Sequence, residues 1–113
     1  MLCKKDTGET ILTDVKLADT APTRMKGLLG IDGLPKGEGL YIKPCTQIHT
    51  FFMRFAIDAA FLSKKGKVLH IRRHMPPWRL SRWVFGAEGV LEASAGAFDD
   101  TLKEGDTVVF CNG

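Results

Sequence analysis

Fifteen consecutive residues, Pro44 to Asp58, contain a thiol, an imidazole, a thioether, a guanidinium and a carboxylate: Cys45, His49, Met53, Arg54 and Asp58. Most of the others are apolar or carry a hydroxyl, Thr50 among them. A plain structural strand has no use for that inventory, so this stretch is the expected functional centre. Cys45 and His49 suit a nucleophile and its base, with Asp58 orienting the ring. That chemistry needs a thiolate held by an imidazolium and a carboxylate fixing the imidazole. A spacing of four residues is not diagnostic of such pairs.

The order Cys45-x3-His49-x3-Met53 resembles the ligand loop of a blue-copper site, where thiolate, imidazole and a weak thioether hold the metal. Such a site needs a second histidine, usually upstream. None precedes His49, and His70 and His74 follow it. Metal is therefore not expected, with Cys45, His49 and Met53 as the ligand candidates, and no cofactor is called for. Asp58 has a simpler reading. It sits among Ile57, Ala59, Ala60 and Phe61, where an unpaired carboxylate would be costly. Its partner is expected to be Arg54, Arg24 or backbone N–H groups, and an arginine would meet it with two parallel hydrogen bonds.

A second stretch, Arg72 to Trp83, holds Arg72, Arg73, His74, Trp78, Arg79, Arg82 and Trp83. Arginine and tryptophan together suit a single-stranded nucleic acid or a protein-binding hot spot. They equally suit a loop whose tryptophans cap a sheet while its arginines stay solvated. Lys and Arg number 16 against 13 Asp and Glu, a net charge of +3. Nucleic acid is not expected at so mild a balance.

These side chains must be positioned by short elements. Ile11 to Leu17 alternates as a strand. Asp19-Thr20-Ala21-Pro22 reads as a helix start, giving a helix over Pro22 to Leu29, weakened by Gly27 and ended by Gly30. Gly33 to Gly39 is a loop, and Leu40-Tyr41-Ile42 a short strand. At period two, Ile48, Thr50, Phe52 and Arg54 share one face, and His49, Phe51, Met53 and Phe55 the other. Ala56 to Leu62 continues as a strand, Ser63 to Gly66 is a hairpin turn, and Lys67 to Ile71 is the return strand. Pro76-Pro77 make Arg72 to Phe85 a long loop over the sheet. Val90 to Ala93 is a strand, Ala95 to Leu102 one or two helical turns, and Thr107 to Cys111 the last strand.

With 113 residues the chain is expected to be one domain with one real core. No apolar run is long enough for a membrane-spanning helix. Met1-Leu2-Cys3-Lys4-Lys5 turns charged at once, so a cytoplasmic location is expected if Met1 is the native start. The cysteines, Cys3, Cys45 and Cys111, are odd in number and far apart. All three are expected as thiols, with Cys3 and Cys111 buried on terminal strands.

Several ordered motifs carry a resemblance. They are Arg24-x-x-Gly27-Leu28-Leu29, Gly39-Leu40-x-Ile42, and Ile48-His49-Thr50-Phe51-x-Met53-Arg54-x-x-Ile57-Asp58-x-x-Phe61. Gly66-x-Val68, Leu91-Glu92-x-x-Ala95-Gly96 and Leu102-x-x-Gly105-Asp106-x-Val108 follow. From about residue 20 to 111 the chain resembles the DUF192 (UPF0127) family. Many members have a central motif like Phe-Trp-Met-Lys-Asn-Thr, then Pro-Leu-Asp. Here Phe51-Phe52-Met53-Arg54-Phe55-Ala56 and Ile57-Asp58 stand instead, so the chain is similar to the Pro-Cys-x-x-Ile-His-Thr branch. The resemblance implies a compact, mainly antiparallel β domain with small helices and no established activity.

The expectation is therefore a mainly β (α+β) fold over residues 1–113, a single antiparallel domain, barrel- or sandwich-like, with one or two short helices. Its expected role is that of a small binding module. The Pro44–Asp58 stretch and the Arg72–Trp83 loop would wall its groove, and the guest would be a small polar or anionic ligand or a protein segment. Arg24, His49, Thr50, Met53, Arg54, Asp58, Trp78 and Arg79 are its candidate binding residues. The competing expectation is an enzyme or a metal or redox protein using Cys45 and His49, with Asp58 or Met53.

Overall fold

One strand, Ile57–Leu62, is buried along its whole length, and the chain is layered around it. The computed structural model describes residues 1–111. In chain order the elements are β1 (Leu2–Lys4), β2 (Thr10–Leu12), β3 (Asp14–Ala18), α1 (Ala21–Lys26), β4 (Glu38–Ile42), β5 (Ile57–Leu62), β6 (Val68–Met75), β7 (Gly89–Ser94) and β8 (Val108–Phe110). They form a five-stranded sheet, β3-β4-β7-β5-β6, and a three-stranded sheet, β2-β1-β8. The fold is mainly β, as expected. Its pairings are antiparallel except β3 with β4, which run parallel, so the larger sheet is mixed.

Period-two alternation sends successive side chains of β5 to opposite faces. Ala60 and Leu62 meet Leu91, Phe98, Leu2, Leu12 and Val108 in a core between the two sheets. Ile57, Ala59 and Phe61 meet Met75, Val90, Leu28, Ile48, Met53 and Val84 in a second core on the other face. That second core is covered by no sheet. A layer built from α1 and its exit, residues 44–56 and residues 76–87 lies over it, and all the candidate site residues but Asp58 belong to this layer.

Several expected elements shift, for local reasons. The strand over Ile11–Leu17 is two strands broken at Thr13, whose N–H and hydroxyl both donate to the Gly37 carbonyl; the chain changes sheet there. Helix α1 starts as expected, with Thr20 and Thr23 in a reciprocal capping box. It ends three residues earlier than expected, because Gly27 itself takes the left-handed turn at φ 48°. Strand β6 runs on to Met75, so Arg72 to His74 are in the sheet and the loop starts at Pro76. The Ala95–Thr101 segment makes turns without forming a helix.

The period-two reading of the central stretch fails. Between Cys45 and Ala56, only His49 makes a strand-like pairing, to Leu80, and Phe52 sits at φ 65°.

Cys3 and Cys111 are disulfide-bonded, with Cα atoms 6.1 Å apart, and Cys45 is the free thiol. This corrects the expectation of three thiols. The antiparallel pairing of β1 with β8, Leu2 opposite Phe110, brings the two cysteines within bridging range. No described helix is long and apolar enough to cross a membrane.

Candidate functional site

The two stretches expected to face each other across a groove are hydrogen-bonded into one ribbon. Cys45 N–H donates to Glu88 O (2.9 Å), Val84 N–H to Thr46 O (2.9 Å), Ser81 N–H to Ile48 O (2.9 Å) and Thr50 N–H to Arg79 O (2.8 Å). Ser81 Oγ accepts from Ile48 N–H at 2.9 Å, and Gln47 Nε2 donates to Ser81 O at 2.8 Å. Fully buried Thr50 donates its hydroxyl to Pro76 O (2.6 Å) and accepts from Arg79 N–H (2.9 Å). It shapes the turn at 76–79.

The cavity lies on the opposite flank of this ribbon. Residues 44–49 and Met53 form one wall, Arg24 to Leu29 the other, and Ile42 and Glu92 come up from the sheet, around a volume of about 190 Å³. The α1 exit builds its wall: Gly27 turns the chain, and Leu28 then drops into the second core. Arg24 ties the two walls, donating to Pro44 O at 3.3 Å.

At the floor, Glu92 is only 3% exposed. Alternation on β7 puts it on the side of Val90, facing the second core. Its carboxyl takes part in no hydrogen bond or ion pair among the described residues. No fully enclosed side-chain oxygen or nitrogen there is left unpaired, so the carboxyl reaches the cavity. Burial pushes its pKa up to about 8, which leaves it largely protonated at neutral pH.

The Cys45 thiol is half-buried and donates to Gln47 O at 3.2 Å. Burial pushes its pKa up, the opposite of what an activated nucleophile needs. His49 Nδ1 accepts from Phe51 N–H at 3.2 Å, and no hydrogen bond joins His49 to Cys45 among the described residues. Neither do Cys45, His49 and Glu92 converge as ligands. Among the described residues, the one His, Cys, Asp and Glu group whose ligand atoms lie within 4.8 Å of one another is Asp58, His74 and Asp99.

From the cavity's rim an aromatic string runs outward. His49 stacks on Phe51 (5.0 Å), Phe51 meets Trp78 (6.3 Å), and Trp78 meets Phe52 (4.7 Å). Phe52 is 71% exposed. Both Phe52 and Trp78 hold left-handed backbone, at φ 65° and 67°, which large side chains adopt at a cost.

The sequence profile of DUF192, described as an uncharacterized ACR, matches residues 2–110. The chain belongs to the DUF192 family. A UPF0127 protein of Thermococcus sibiricus (strain DSM 12597 / MM 739) is 32% identical over 104 residues, 88% of this chain and 66% of the relative. The chain thus spans just under two thirds of that relative's length. Two crystal structures share the DUF192 fold. One is a protein of unknown function from Novosphingobium aromaticivorans DSM 12444, with TM-score 0.76, 23% identity, and 85% of this chain and 74% of that one covered. The other is a putative transcription regulator from Sinorhizobium meliloti 1021, with TM-score 0.74, 21% identity, and 84% and 79% covered.

In this DUF192 fold, Arg24, His49 and Met53 line the cavity, as does Cys45. Arg54 does not: it pairs with Asp32 at 2.7 Å on the surface. Trp78 belongs to the aromatic string, and the Arg79 guanidinium donates to Trp78 O at 3.3 Å. Asp58 is fully buried on the other face of the sheet. Its oxygens accept from His74 N–H (2.8 Å) and Phe98 N–H (3.0 Å), so its partners are backbone donors and neither Arg54 nor Arg24. Glu92 was missed as a site residue. The signal that marked Asp58, one carboxylate in an apolar run, was present equally in Val90-Leu91-Glu92-Ala93.

Proposed function

We propose that this chain is a single-domain, non-catalytic binding module whose site is the Glu92 cavity, which takes one compact polar group. The observation that carries the reading is Glu92 itself, a carboxyl almost wholly buried in the sheet, open on the cavity and without a partner among the described residues. Burying such a group costs free energy, and a site kept at the expense of stability is a common mark of function. Size narrows the guest. About 190 Å³ falls below the ~300–1,000 Å³ of typical small-molecule pockets. A head group or a single side chain fits, and a whole cofactor does not.

The aromatic string that starts at His49 would carry the rest of the guest, as exposed aromatics do at binding hot spots. The anionic part of the expected ligand suits exposed Arg24 at the mouth. The Cys3–Cys111 bond supports an oxidising compartment over the expected cytoplasm, since most cytosols keep thiols reduced. The name of the Sinorhizobium neighbour suggests nucleic acid; Arg79 and Arg82 would be its contacts, and the near-balanced charge speaks against it.

The test is a protein-observed NMR screen, following backbone amide shifts, of small amines, acids, amides and alcohols, repeated on Cys45→Phe, which is designed to fill the cavity. Binding of at least one class, with amide shifts at Leu28, Cys45 and Glu92 and loss in Cys45→Phe, is expected. An absence of such shifts at millimolar fragment, or equal binding by Cys45→Phe, would refute the proposal.

A further inference from the structure

Glu92 and the lining above it define what the guest must bring. The buried walls, Leu28, Ile42, Ile48 and Met53, offer no side-chain N–H. The backbone N–H groups of Cys45, Ile48 and Met53 already donate, to Glu88 O, Ser81 Oγ and Thr50 O. The Cys45 thiol hydrogen goes to Gln47 O. The polar side-chain group at the deep end is therefore the Glu92 carboxyl, an O–H donor when neutral and an acceptor when ionised. An anion placed there would be repelled by ionised Glu92, whereas an ammonium brings three N–H groups and a charge that the carboxylate can match.

The mouth has the opposite character. Arg24 and Lys26, on the last turn of α1, both line it and are exposed. Neither is in an ion pair among the described residues. His49 lies at the same rim.

We infer that the cavity's guest is a small zwitterion, its ammonium seated on Glu92 and its carboxylate or phosphate held at the mouth by Arg24 and Lys26. This rests on the Glu92 cavity being the binding site. Seating the ammonium ionises Glu92 and releases its proton. Burial pushes the Cys45 pKa up, so it stays a thiol, and the proton comes from Glu92. Affinity then rises with pH by up to about tenfold per unit until Glu92 is ionised in the empty protein.

The experiment is a calorimetric and NMR titration of the whole chain with glycine, β-alanine and γ-aminobutyrate, beside propylamine, propionate and propanol. A zwitterion is expected to bind best, then propylamine, with affinity rising toward pH 8. Glu92→Gln, checked for fold by circular dichroism, is expected to lose at least about tenfold for the amines and to abolish that rise. Arg24→Ala with Lys26→Ala should reduce the best zwitterion to the affinity of propylamine.

Preference for propionate or propanol at the same amides would overturn the zwitterion and leave the binding site standing. So would amine binding unchanged in Glu92→Gln. No saturable binding by any of the three zwitterions also overturns the inference, and if no fragment of any class binds, the site reading falls with it. Stoichiometric Cu(I) binding lost in both Cys45→Ser and Met53→Leu would make the guest a metal ion and equally overturn it.

Discussion

Asp58 and Glu92 lie on neighbouring strands, one register step apart, and face opposite sides of the same sheet. Asp58 stands across from Ala93, and Glu92 across from Ala59. Both are buried. Asp58 has a backbone N–H on each oxygen, so it joins the end of β6 to the turn around Phe98. Glu92 has no such donors and opens on the cavity. Two carboxyls with the same local sequence signature are thus divided between holding the fold and, under the proposed function, receiving a guest.

Removing Asp58 should destabilise the fold. Asp58→Ala leaves the N–H groups of His74 and Phe98 without acceptors, at a cost of about 2–4 kcal/mol. Asp58→Asn keeps one acceptor oxygen and should cost less. His49→Ala and Cys45→Ser, at the cavity wall, should each cost under about 1 kcal/mol. Urea midpoints of the four variants beside the parent decide the order. An Asp58→Ala protein as stable as the parent would remove the structural role.

Glu92 should make stability fall as pH rises. Its ordinary pKa of 4.5 describes the unfolded chain, and the folded value is about 8. Between the two the folded state holds one more proton, so each pH unit upward removes about 1.4 kcal/mol of this contribution. The loss is on the order of 4–5 kcal/mol in all and levels off above about pH 8. Glu92→Gln cannot ionise and should lack this slope. Urea titrations of both proteins from about pH 5 to about pH 9 measure it, and parallel profiles would contradict it.

Phe52→Gly should leave stability within about 1 kcal/mol of the parent. Glycine relieves the left-handed backbone, worth about 1 kcal/mol. The lost aromatic contact with Trp78 is worth about 0.5–1.5 kcal/mol in the other direction, and little burial is lost at 71% exposure. Thermal melts of the single and double Phe52 and Trp78 glycine variants separate the two effects. A large loss in Phe52→Gly alone would mean that the ring supports the ribbon.

Arg79→Ala with Arg82→Ala should leave binding to a single-stranded oligonucleotide weak and unchanged. Fluorescence anisotropy at two salt concentrations is the measurement. Tight binding with a steep salt dependence, lost in the double variant, would make this a nucleic-acid protein.

Much of the sheet was legible because its signals are local. The apolar run of β5, the Ser63–Gly66 turn and the Thr20 cap each lie within a few residues, and each stands where it was expected. The central stretch was not, because its hydrogen bonds go to residues about thirty positions away, from Thr46–Val84 to Thr50–Arg79. Alternating apolar residues there reflect packing of an irregular ribbon on the second core. Of the expected site residues, Arg24, Cys45, His49 and Met53 line one cavity, and Thr50, Arg54, Trp78 and Arg79 do not. Asp58 was grouped with them because sequence proximity hides which face of a strand is used, and Glu92 was left out for the same reason.

The Cys3–Cys111 bond closes the chain between those residues into a covalent ring. A protease that cuts once, at the exposed Lys64-Lys65 turn for example, opens the ring without releasing a fragment. The nicked protein keeps its mass, plus one water, and runs as one species on a non-reducing gel. Two pieces separate only when reductant is added. Breakdown of this molecule under oxidising conditions therefore takes a second cut or a thiol, and a single nick can accumulate without loss of material.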